Sequence, residues 1–176
     1  MTDVVSKAVR SRMMSGIRSR DTKPEVFLRS ALHARGFRFR IHRKDLPGRP
    51  DIVLPKHRAV IQVHGCFWHG HQCQLFKYPA TNTQFWRQKI GQNRARDQRS
   101  EEALLALGWR VLTVWECATR GAGRATLADA VCEWIVSGEE RGELGKNGAG
   151  TASGRTDEDL RGGGRCQGAS QAAGTE

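Results

Sequence analysis

The segment Asp51-Ile-Val-Leu-Pro-Lys-His-Arg-Ala-Val-Ile-Gln-Val-His64 contains two short apolar runs separated by a turn that begins with proline. Short runs rich in Val and Ile and bounded by turn residues are typical of β-strands. Because the turn is short, the two runs are predicted to form a β-hairpin. A hairpin places Asp51, at the start of one strand, beside residues 62–64 at the end of the other.

The segments on either side of this hairpin predict helices and further strands. Thr22-Lys-Pro-Glu25 is a capping-box pattern, so a helix begins there, and Gly36 ends it. The other predicted elements are a basic amphipathic helix over 4–17, a strand over 37–41, a long basic helix over 84–107 ended by a left-handed Gly108, a strand over 109–115 and a helix over 127–136. This order predicts an α/β fold with a mixed sheet.

The charge of the chain indicates a polyanionic partner. The 176 residues include 29 Lys and Arg against 18 Asp and Glu, a net charge of +11. The sequence has no apolar stretch long enough for a membrane span and no secretory pattern at its N-terminus, so a cytoplasmic protein is predicted. Five cysteines in a reducing compartment are expected to be thiols or metal ligands.

Residues 138–176 are rich in Gly, Ala, Ser and Thr, a composition that cannot build a core. This segment is therefore predicted to be a disordered tail. It carries five basic and seven acidic side chains, a net of −2, so +13 of the charge belongs to residues 1–137. The positive charge thus lies on the part that is expected to fold, which favours nucleic acid as the partner.

A dense group of metal-ligand residue types occurs in His64-Gly-Cys-Phe-Trp-His-Gly-His-Gln-Cys73. Structural zinc takes four Cys or His ligands, and Cys66, His71 and Cys73 supply three from one loop. Cys117, just after the strand over 109–115, is the natural fourth. The alternative is that these residues are ordinary buried thiols and surface imidazoles.

The hairpin also brings together residues suited to phosphodiester chemistry. A metal-dependent phosphodiesterase needs a carboxylate that holds Mg²⁺ and a base that activates water. Asp51 lies beside Gln62-Val-His64 in the hairpin, and Glu25 could lean over the same sheet edge. Each acid has a structural alternative, because Pro-Asp is common in turns and Glu25 belongs to a capping box.

Aromatic residues accompany the basic residues. Phe67 and Trp68 lie in the His/Cys loop, and Phe85-Trp86 begins the long basic helix. Apolar rings beside cations serve proteins that unstack bases, since a weak mismatched step is easier to open than a paired one. Packing of the loop onto the helix explains the same residues equally well.

Taken together, these motifs resemble the very short patch repair (Vsr) endonucleases. The resemblance spans residues 7–119. Its most specific stretches are Leu46-Pro-Gly-Arg-Pro-Asp51, His64-Gly-Cys-Phe-Trp-His69, Phe85-Trp86 with Lys89-Ile-Gly-Gln-Asn93, and Leu107-Gly-Trp-Arg-Val-Leu112 leading into Trp115-Glu-Cys117. The resemblance implies a restriction-endonuclease-like fold with a central mixed sheet flanked by helices and a structural zinc site. It also implies Mg²⁺-dependent nicking 5′ to the T of a T:G mismatch left by deamination of 5-methylcytosine.

The resemblance further implies roles for individual residues. Asp51 corresponds to the Mg²⁺ ligand, with the main-chain carbonyl of Val63 as a second ligand. His69 corresponds to the general base, with Glu25 and His64 supporting the metal-bound waters. The zinc ligands correspond to Cys66, His71, Cys73 and Cys117. The implied DNA contacts are the wedge residues Phe67, Trp68 and Trp86, the minor-groove residue Met14, and Lys89 and Asn93 at the wobble pair.

The predicted parts of the chain are a DNA-contacting basic helix over 1–20, an endonuclease domain over 21–137 and the compositionally defined tail over 138–176, which lies outside the resemblance. The implied partners are double-stranded DNA with a T:G mismatch and bacterial mismatch-repair proteins, with Mg²⁺ as catalytic and Zn²⁺ as structural cofactor. The protein is expected to be a monomer that acts on the bacterial nucleoid. Two competing hypotheses are a zinc-stabilised DNA-binding module without catalysis and a restriction-type nuclease that cuts paired sites.

Overall fold

The computed structural model describes Val9 and residues 20–121, 123–146 and 148–150, the last three by their backbone alone. Apart from Val9, the predicted N-terminal helix over 4–17 lies outside the described residues, as do residues 151–176. Met14, a predicted DNA contact, is among the residues not described.

The described strands form one mixed sheet of five strands in sequential order. They are β1 (Ile52–Leu54), β2 (Ala59–His64), β3 (Arg110–Trp115), β4 (Arg141–Gly145) and β5 (Gly148–Gly150). The β1–β2 and β4–β5 pairs are antiparallel, whereas β3 runs parallel to both β2 and β4. The predicted mixed sheet is therefore confirmed.

The predicted hairpin forms between β1 and β2, with Ile52 opposite Ile61. A 3₁₀ turn over Pro55–His57 connects the strands and ends at Arg58 in the left-handed conformation. The Arg58 guanidinium donates to the Leu107 carbonyl at 2.8 Å, and its own carbonyl accepts from the Arg110 amide at 2.8 Å. The turn is thus attached to the start of β3, which aligns β2 with its parallel neighbour.

Three described helices of three or more turns pack against this sheet, namely α1 (Lys23–Ala34), α2 (Thr83–Ala106) and α3 (Gly123–Ser137). Thr22 caps α1 as predicted, and Gly36 follows its end with φ +84°. Gly108 follows α2 with φ +73°, also as predicted. The closing helix begins at Gly123, which is earlier than predicted. Inside its first turn the Thr126 hydroxyl donates to the Gly123 carbonyl at 3.3 Å.

Buried apolar side chains cover both faces of the sheet. Alternation along β1 sends Ile52 and Leu54 into a core with α1 and α3, whereas Val53 joins a second cluster with Leu104 of α2 and Trp109. Each large apolar side chain buried in this way contributes about 1.5–3 kcal/mol. Helices on both faces fix the ends of β1 and β2 between α1 and α2. None of the described helices has the length and apolar composition needed to cross a bilayer.

The predicted strand over 37–41 is wrong. This segment makes a single antiparallel bridge, between Arg40 and Val53, and no extended ladder. Phe37 and Phe39 instead pack against the edge of the core. The alternation of apolar residues here comes from a loop that packs one side against the core. Such packing needs no strand pairing.

The predicted start of the tail at residue 138 is also wrong, because β4 pairs with β3 through Val111 to Val114. Leu144 is buried in the core, and the Trp115 indole donates to Glu143 at 2.5 Å. A Cβ on Gly142 would lie 2.3 Å from Nε1 of Trp134. Gly142, one of the glycines that made this segment look like a tail, thus allows β4 to pack closely beneath α3.

Candidate active site and metal centre

A cleft of about 580 Å³ opens where the start of α1, the end of the hairpin and the middle of α2 meet. The structure brings to it many of the residues that the sequence singled out. Those lining the cleft are Glu25, Asp51, Val63, His64, Trp68, His69 and Asn93. Arg49, Arg96 and Asp97 line the same cleft and were not predicted as site residues.

Asp51 lies at the base of this cleft, one residue before β1. Its Oδ2 accepts a hydrogen bond from the Val63 amide at 2.7 Å, and its Oδ1 lies 3.9 Å from Nδ1 of His42. Burial raises the pKa of Asp51 to about 6, with a further contribution from the negative charge of Glu25, although the Val63 hydrogen bond opposes the shift. A nearby cation would favour the ionised carboxylate again.

His69 lines the same cleft as Asp51. It is paired with Asp97, a contact that the sequence did not reveal. Its Nδ1 lies 2.5 Å from Oδ2 of Asp97, on α2. Burial alone would raise the pKa of Asp97, but the hydrogen bond and charge of His69 hold it below its usual value. Because an ionised carboxylate only accepts, the neutral form of His69 carries its proton on Nδ1, which leaves Nε2 as the acceptor.

His64 supports this imidazole by stacking. The two rings lie 4.0 Å apart with an interplanar angle of 4°. Burial lowers the pKa of His64 to about 3, with a smaller effect from the neighbouring His69. His64 is therefore neutral at physiological pH and presents a flat surface against His69.

Glu25 lies at the cleft and also performs its predicted structural role. Only 3% of the residue is exposed. Its carboxylate accepts from the Asp21 amide at 3.1 Å, the Thr22 hydroxyl at 2.8 Å and the Arg29 guanidinium at 2.7 Å. The Glu25 amide also donates to the Thr22 hydroxyl at 3.5 Å, which confirms Thr22 as the N-cap, although the carboxylate accepts from the Asp21 amide rather than from the Thr22 amide of an ideal capping box. Most of the acceptor capacity of this carboxylate is thus used within the protein.

The four predicted zinc ligands come together in a second centre. The ligand atoms of Cys66, His71, Cys73 and Cys117 all lie within 4.8 Å of one another. Nδ1 of His71 and Sγ of Cys117 are 3.6 Å apart. A tetrahedral zinc ion with its usual Zn–S and Zn–N distances separates two such ligands by about 3.6 Å.

The surroundings of these sulfur atoms also suit a metal. Backbone amides point at them at 3.4 Å, from Cys117 to Cys66, from Lys146 to Cys117 and from Leu75 to Cys73. Burial raises the pKa of the Cys66 thiol, so its thiolate needs a cation nearby. The donor set and its environment therefore fit a structural zinc ion.

The predicted wedge residues form one aromatic cluster at the rim of the cleft. Phe67 lies 5.2 Å from both Trp68 and Trp86, and the two tryptophans are 6.0 Å apart between ring centroids. All three residues are half-buried. They pack the loop onto α2 while leaving part of each ring accessible, so both interpretations of the aromatics are compatible with the structure.

Lys89 and Asn93 lie on α2 beneath this cluster, in different environments. Lys89 is exposed, whereas Asn93 is only 7% exposed. The Asn93 amide donates to the Trp68 carbonyl at 2.8 Å, and its carbonyl oxygen accepts from Arg96 at 3.2 Å. Asn93 thus supports the backbone of the loop, and its direct DNA contact stays a prediction.

Comparison with known proteins places the chain in a family. Residues 2–75 match the family model "DNA mismatch endonuclease Vsr". The DNA mismatch endonuclease Vsr of Escherichia coli is 52% identical over 138 residues, which cover 77% of this chain and 88% of that protein. The chain belongs to the Vsr family. The Type II nicking enzyme V.XorIIP of Xanthomonas oryzae is 56% identical over 117 residues, covering 66% of this chain and 86% of that protein.

A solved structure shows a weaker likeness to this Vsr family member. The Homing Endonuclease I-Bth0305I Catalytic Domain aligns with a TM-score of 0.46 and 18% identity, covering 67% of this chain and 98% of that one. This likeness is too low to assign a fold.

Besides Arg49 and Arg96, three residues in or beside the cleft of this Vsr chain were missed in the sequence. Asp97 could have been identified from the sequence, because it is the sole acid between Thr83 and Arg99 in a basic helix. No sequence feature identifies Arg29 or His42, since neither belongs to a motif. Their positions depend on contacts between segments that are distant in sequence.

Removal of a zinc ligand is expected to release the metal. We expect Cys117→Ala to lose most of the roughly one zinc per chain that four ligands predict, because three ligands from a single loop no longer close the tetrahedron. Zinc analysis of the purified protein and its melting temperature measure the effect. Cys132→Ala, at a half-buried cysteine of α3, is the matched control and should keep the metal. A full zinc content in the Cys117 variant would refute the ligand assignment.

The pKa of Asp51 predicts a pH-dependent stability in the absence of divalent cations. Its pKa rises from about 3.9 in the unfolded chain to about 6 in the fold. The folded state therefore holds the proton more tightly, and this contribution to stability is full below about pH 4 and is lost as the pH rises through 6.

Asp51→Asn removes this titration. Between pH 4.5 and pH 7.5 the wild type should lose about 2 kcal/mol of unfolding free energy that the variant does not lose. Urea unfolding of both proteins at the two pH values measures the difference, and effects of other titrating groups cancel in the comparison. A pH-independent difference would show that Asp51 is not desolvated in this way.

Proposed function

We propose that this protein nicks one strand of duplex DNA 5′ to the T of a T:G mismatch, in repair of deaminated 5-methylcytosine. Membership of the Vsr family supports this proposal, together with relatives named as nicking enzymes. The observation that carries it is the placement of the Asp51 carboxylate and the Asp97-oriented His69 imidazole in one cleft.

The residues present fit a Mg²⁺ site at Asp51. The carboxylate uses one lone pair of Oδ2 for the Val63 amide and keeps its others for a hard cation, which prefers oxygen ligands. The main-chain carbonyl of Val63 is the proposed second ligand. Mg²⁺ bound there would polarise the scissile phosphate and lower the pKa of a water molecule.

The chain itself supplies the acid–base groups. Nε2 of His69 is the proposed base that takes a proton from the attacking water. Asp97 stabilises the imidazolium that forms and keeps Nδ1 as the donor. The stacked ring of His64 limits rotation of His69. In this proposal Glu25, held by its three internal contacts, uses its remaining lone pair to orient water in the cleft.

Substrate binding is proposed to use the aromatic cluster and the basic face of α2. Phe67, Trp68 and Trp86 would enter the stack at the mismatch, where opening a weak pair needs less energy. Phosphate contacts would come from exposed basic residues of α2 and make binding dependent on salt. Those residues are Arg87, Lys89, Arg94, Arg96 and Arg99.

The remaining parts of the proposal concern the scaffold and the cell. We propose a restriction-endonuclease-like fold in which zinc at Cys66, His71, Cys73 and Cys117 fixes the loop that carries His69. The protein would act as a cytoplasmic monomer, with bacterial mismatch-repair proteins as further partners. Family membership supports these points, and the geometry of the four ligands is compatible with the zinc site.

Asp51→Ala is the test of the catalytic carboxylate. We expect nicking of a labelled T:G duplex in Mg²⁺ to fall at least about 10³-fold, because the cation loses its side-chain ligand, while gel-shift binding of the duplex stays within about 3-fold. Asp45→Ala is the matched control, since Asp45 is exposed and pairs with Arg43.

A fully paired duplex of the same sequence completes this experiment. Undiminished cleavage by Asp51→Ala would exclude the proposed catalytic role. Equal cleavage of paired and mismatched DNA by the wild type would favour a restriction-type nuclease. Binding without any nicking in Mg²⁺ by the wild type would favour a DNA-binding module.

Asp97→Asn tests the orientation of His69. An amide can donate to Nδ1 and stabilise the wrong tautomer, which places the proton on Nε2 and blocks the base. We expect the maximal nicking rate to fall about 10²- to 10⁴-fold with little change in DNA affinity. Single-turnover nicking measures the rate, and Glu102→Gln, at an exposed site of the same helix, is the control. A rate within 3-fold of wild type would remove Asp97 from the mechanism.

A further inference from the structure

His42 lies between the Glu25 and Asp51 carboxylates, although it lies outside every motif described above. Its Nε2 is 3.0 Å from a terminal nitrogen of Arg29 and 3.8 Å from Oε2 of Glu25. Its Nδ1 lies 3.9 Å from Oδ1 of Asp51. The imidazole thus occupies the space between the N-terminus of α1 and the proposed Mg²⁺ ligand.

The contact with Arg29 determines which nitrogen of His42 carries the proton. A guanidinium has five N–H donors and no acceptor. Arg29 must therefore donate to Nε2, and the proton of the neutral ring resides on Nδ1. This nitrogen is the one that lies 3.9 Å from Oδ1 of Asp51, so a small side-chain rotation would bring the two within hydrogen-bond distance.

Arg29 is itself held in place by two acids. Its terminal nitrogens donate to Asp21 at 2.5 Å and to Glu25 at 2.7 Å, and its side chain is 13% exposed. Its Nε is buried and has no hydrogen-bond partner among the described residues. An unpaired buried donor is unfavourable, so the other contacts of Arg29 must hold the side chain there.

The backbone at both ends of this network is unusual. Asp21 has φ +52° and His42 has φ +47°. Residues other than glycine adopt the left-handed region infrequently, and they persist there when surrounding contacts determine the conformation. The fold thus accepts strained backbone at two of the three residues whose side chains contact Arg29.

We propose that His42 is a positioning residue for Asp51, with Arg29 fixing the tautomer that points the Nδ1–H of His42 at the carboxylate. This inference rests on the proposed function, in which Asp51 is a metal ligand. With Val63 bonded to Oδ2 and His42 directed at Oδ1, rotation of the carboxylate is restricted. Groups that orient a ligand in this way raise metal affinity.

Divalent-cation binding by the full-length, zinc-loaded protein tests the inference. Mn²⁺ is the probe, and electron paramagnetic resonance measures its free concentration. We expect His42→Ala to raise the dissociation constant for Mn²⁺ about 10-fold. His42→Gln should recover most of the affinity, because an amide offers one donor for Asp51 and one acceptor for Arg29.

The neighbouring Arg43→Ala is the matched control, since Arg43 pairs with Asp45 rather than with a group in the cleft. Its Mn²⁺ affinity should equal that of the wild type. In nicking assays, His42→Ala should need correspondingly more Mg²⁺ for half-maximal rate, with a smaller change in the rate at saturating Mg²⁺. If His42→Ala does not fold, His42→Met replaces it, because Met has similar length and no N–H donor.

Asp51→Ala separates the failure of this inference from failure of the proposed function. Loss of the Mn²⁺ site in Asp51→Ala with unchanged affinity in His42→Ala would overturn the positioning role alone. A lower melting temperature of His42→Ala without a change in Mn²⁺ affinity would do the same, because it indicates a purely structural residue. Full Mn²⁺ affinity in Asp51→Ala would overturn the metal role of Asp51 and with it the basis of the inference.

Discussion

The hydrogen bond from the Val63 amide to the Asp51 carboxylate depends on the register of the hairpin, and the cleft depends on that bond. The ladder pairs Ile52 with Ile61, so the residue before β1 meets the last residues of β2. A shift of one residue would turn every side chain of the strand to the opposite face. The parallel ladder then carries this alignment to Trp115, which lies opposite His64 and just ahead of Cys117.

Residues of one loop serve two centres. His69 points into the cleft, while Cys66, His71 and Cys73 converge on Cys117. Trp115 contacts both sides, since its ring stacks on His71 at 4.2 Å and lies edge-on to His64 at 5.4 Å. A metal ion at the four ligands would therefore restrain the segment that presents the imidazole. In the proposed mechanism, zinc contributes to catalysis only through this rigidity.

Three of the carboxylates that line the cleft have different environments, and their chemistry differs accordingly. Glu25 uses most of its acceptor capacity on internal donors in the first turn of α1. Asp97 is paired with His69, which lowers its pKa, whereas burial raises the pKa of Asp51. Such divergence among neighbouring acids separates structural, orienting and cation-binding roles. Asp51 is the member whose charge is least compensated by the protein, which makes it the natural site for a cation.

The sequence by itself determined the features that depend on residues close together in the chain. The capping box at Thr22, the hairpin, the left-handed end of α2 at Gly108 and three of the proposed zinc ligands all follow from local conformational preferences or spacing. Only the tertiary structure decided that Asp97 meets His69, that His42 lies between Glu25 and Asp51, and that the Gly-rich segment after α3 forms β4. It also decided that residues 37–41 make one bridge and no strand. The physical reason is that these outcomes depend on partners far apart in sequence, where burial and donor–acceptor matching select a geometry that no local pattern specifies.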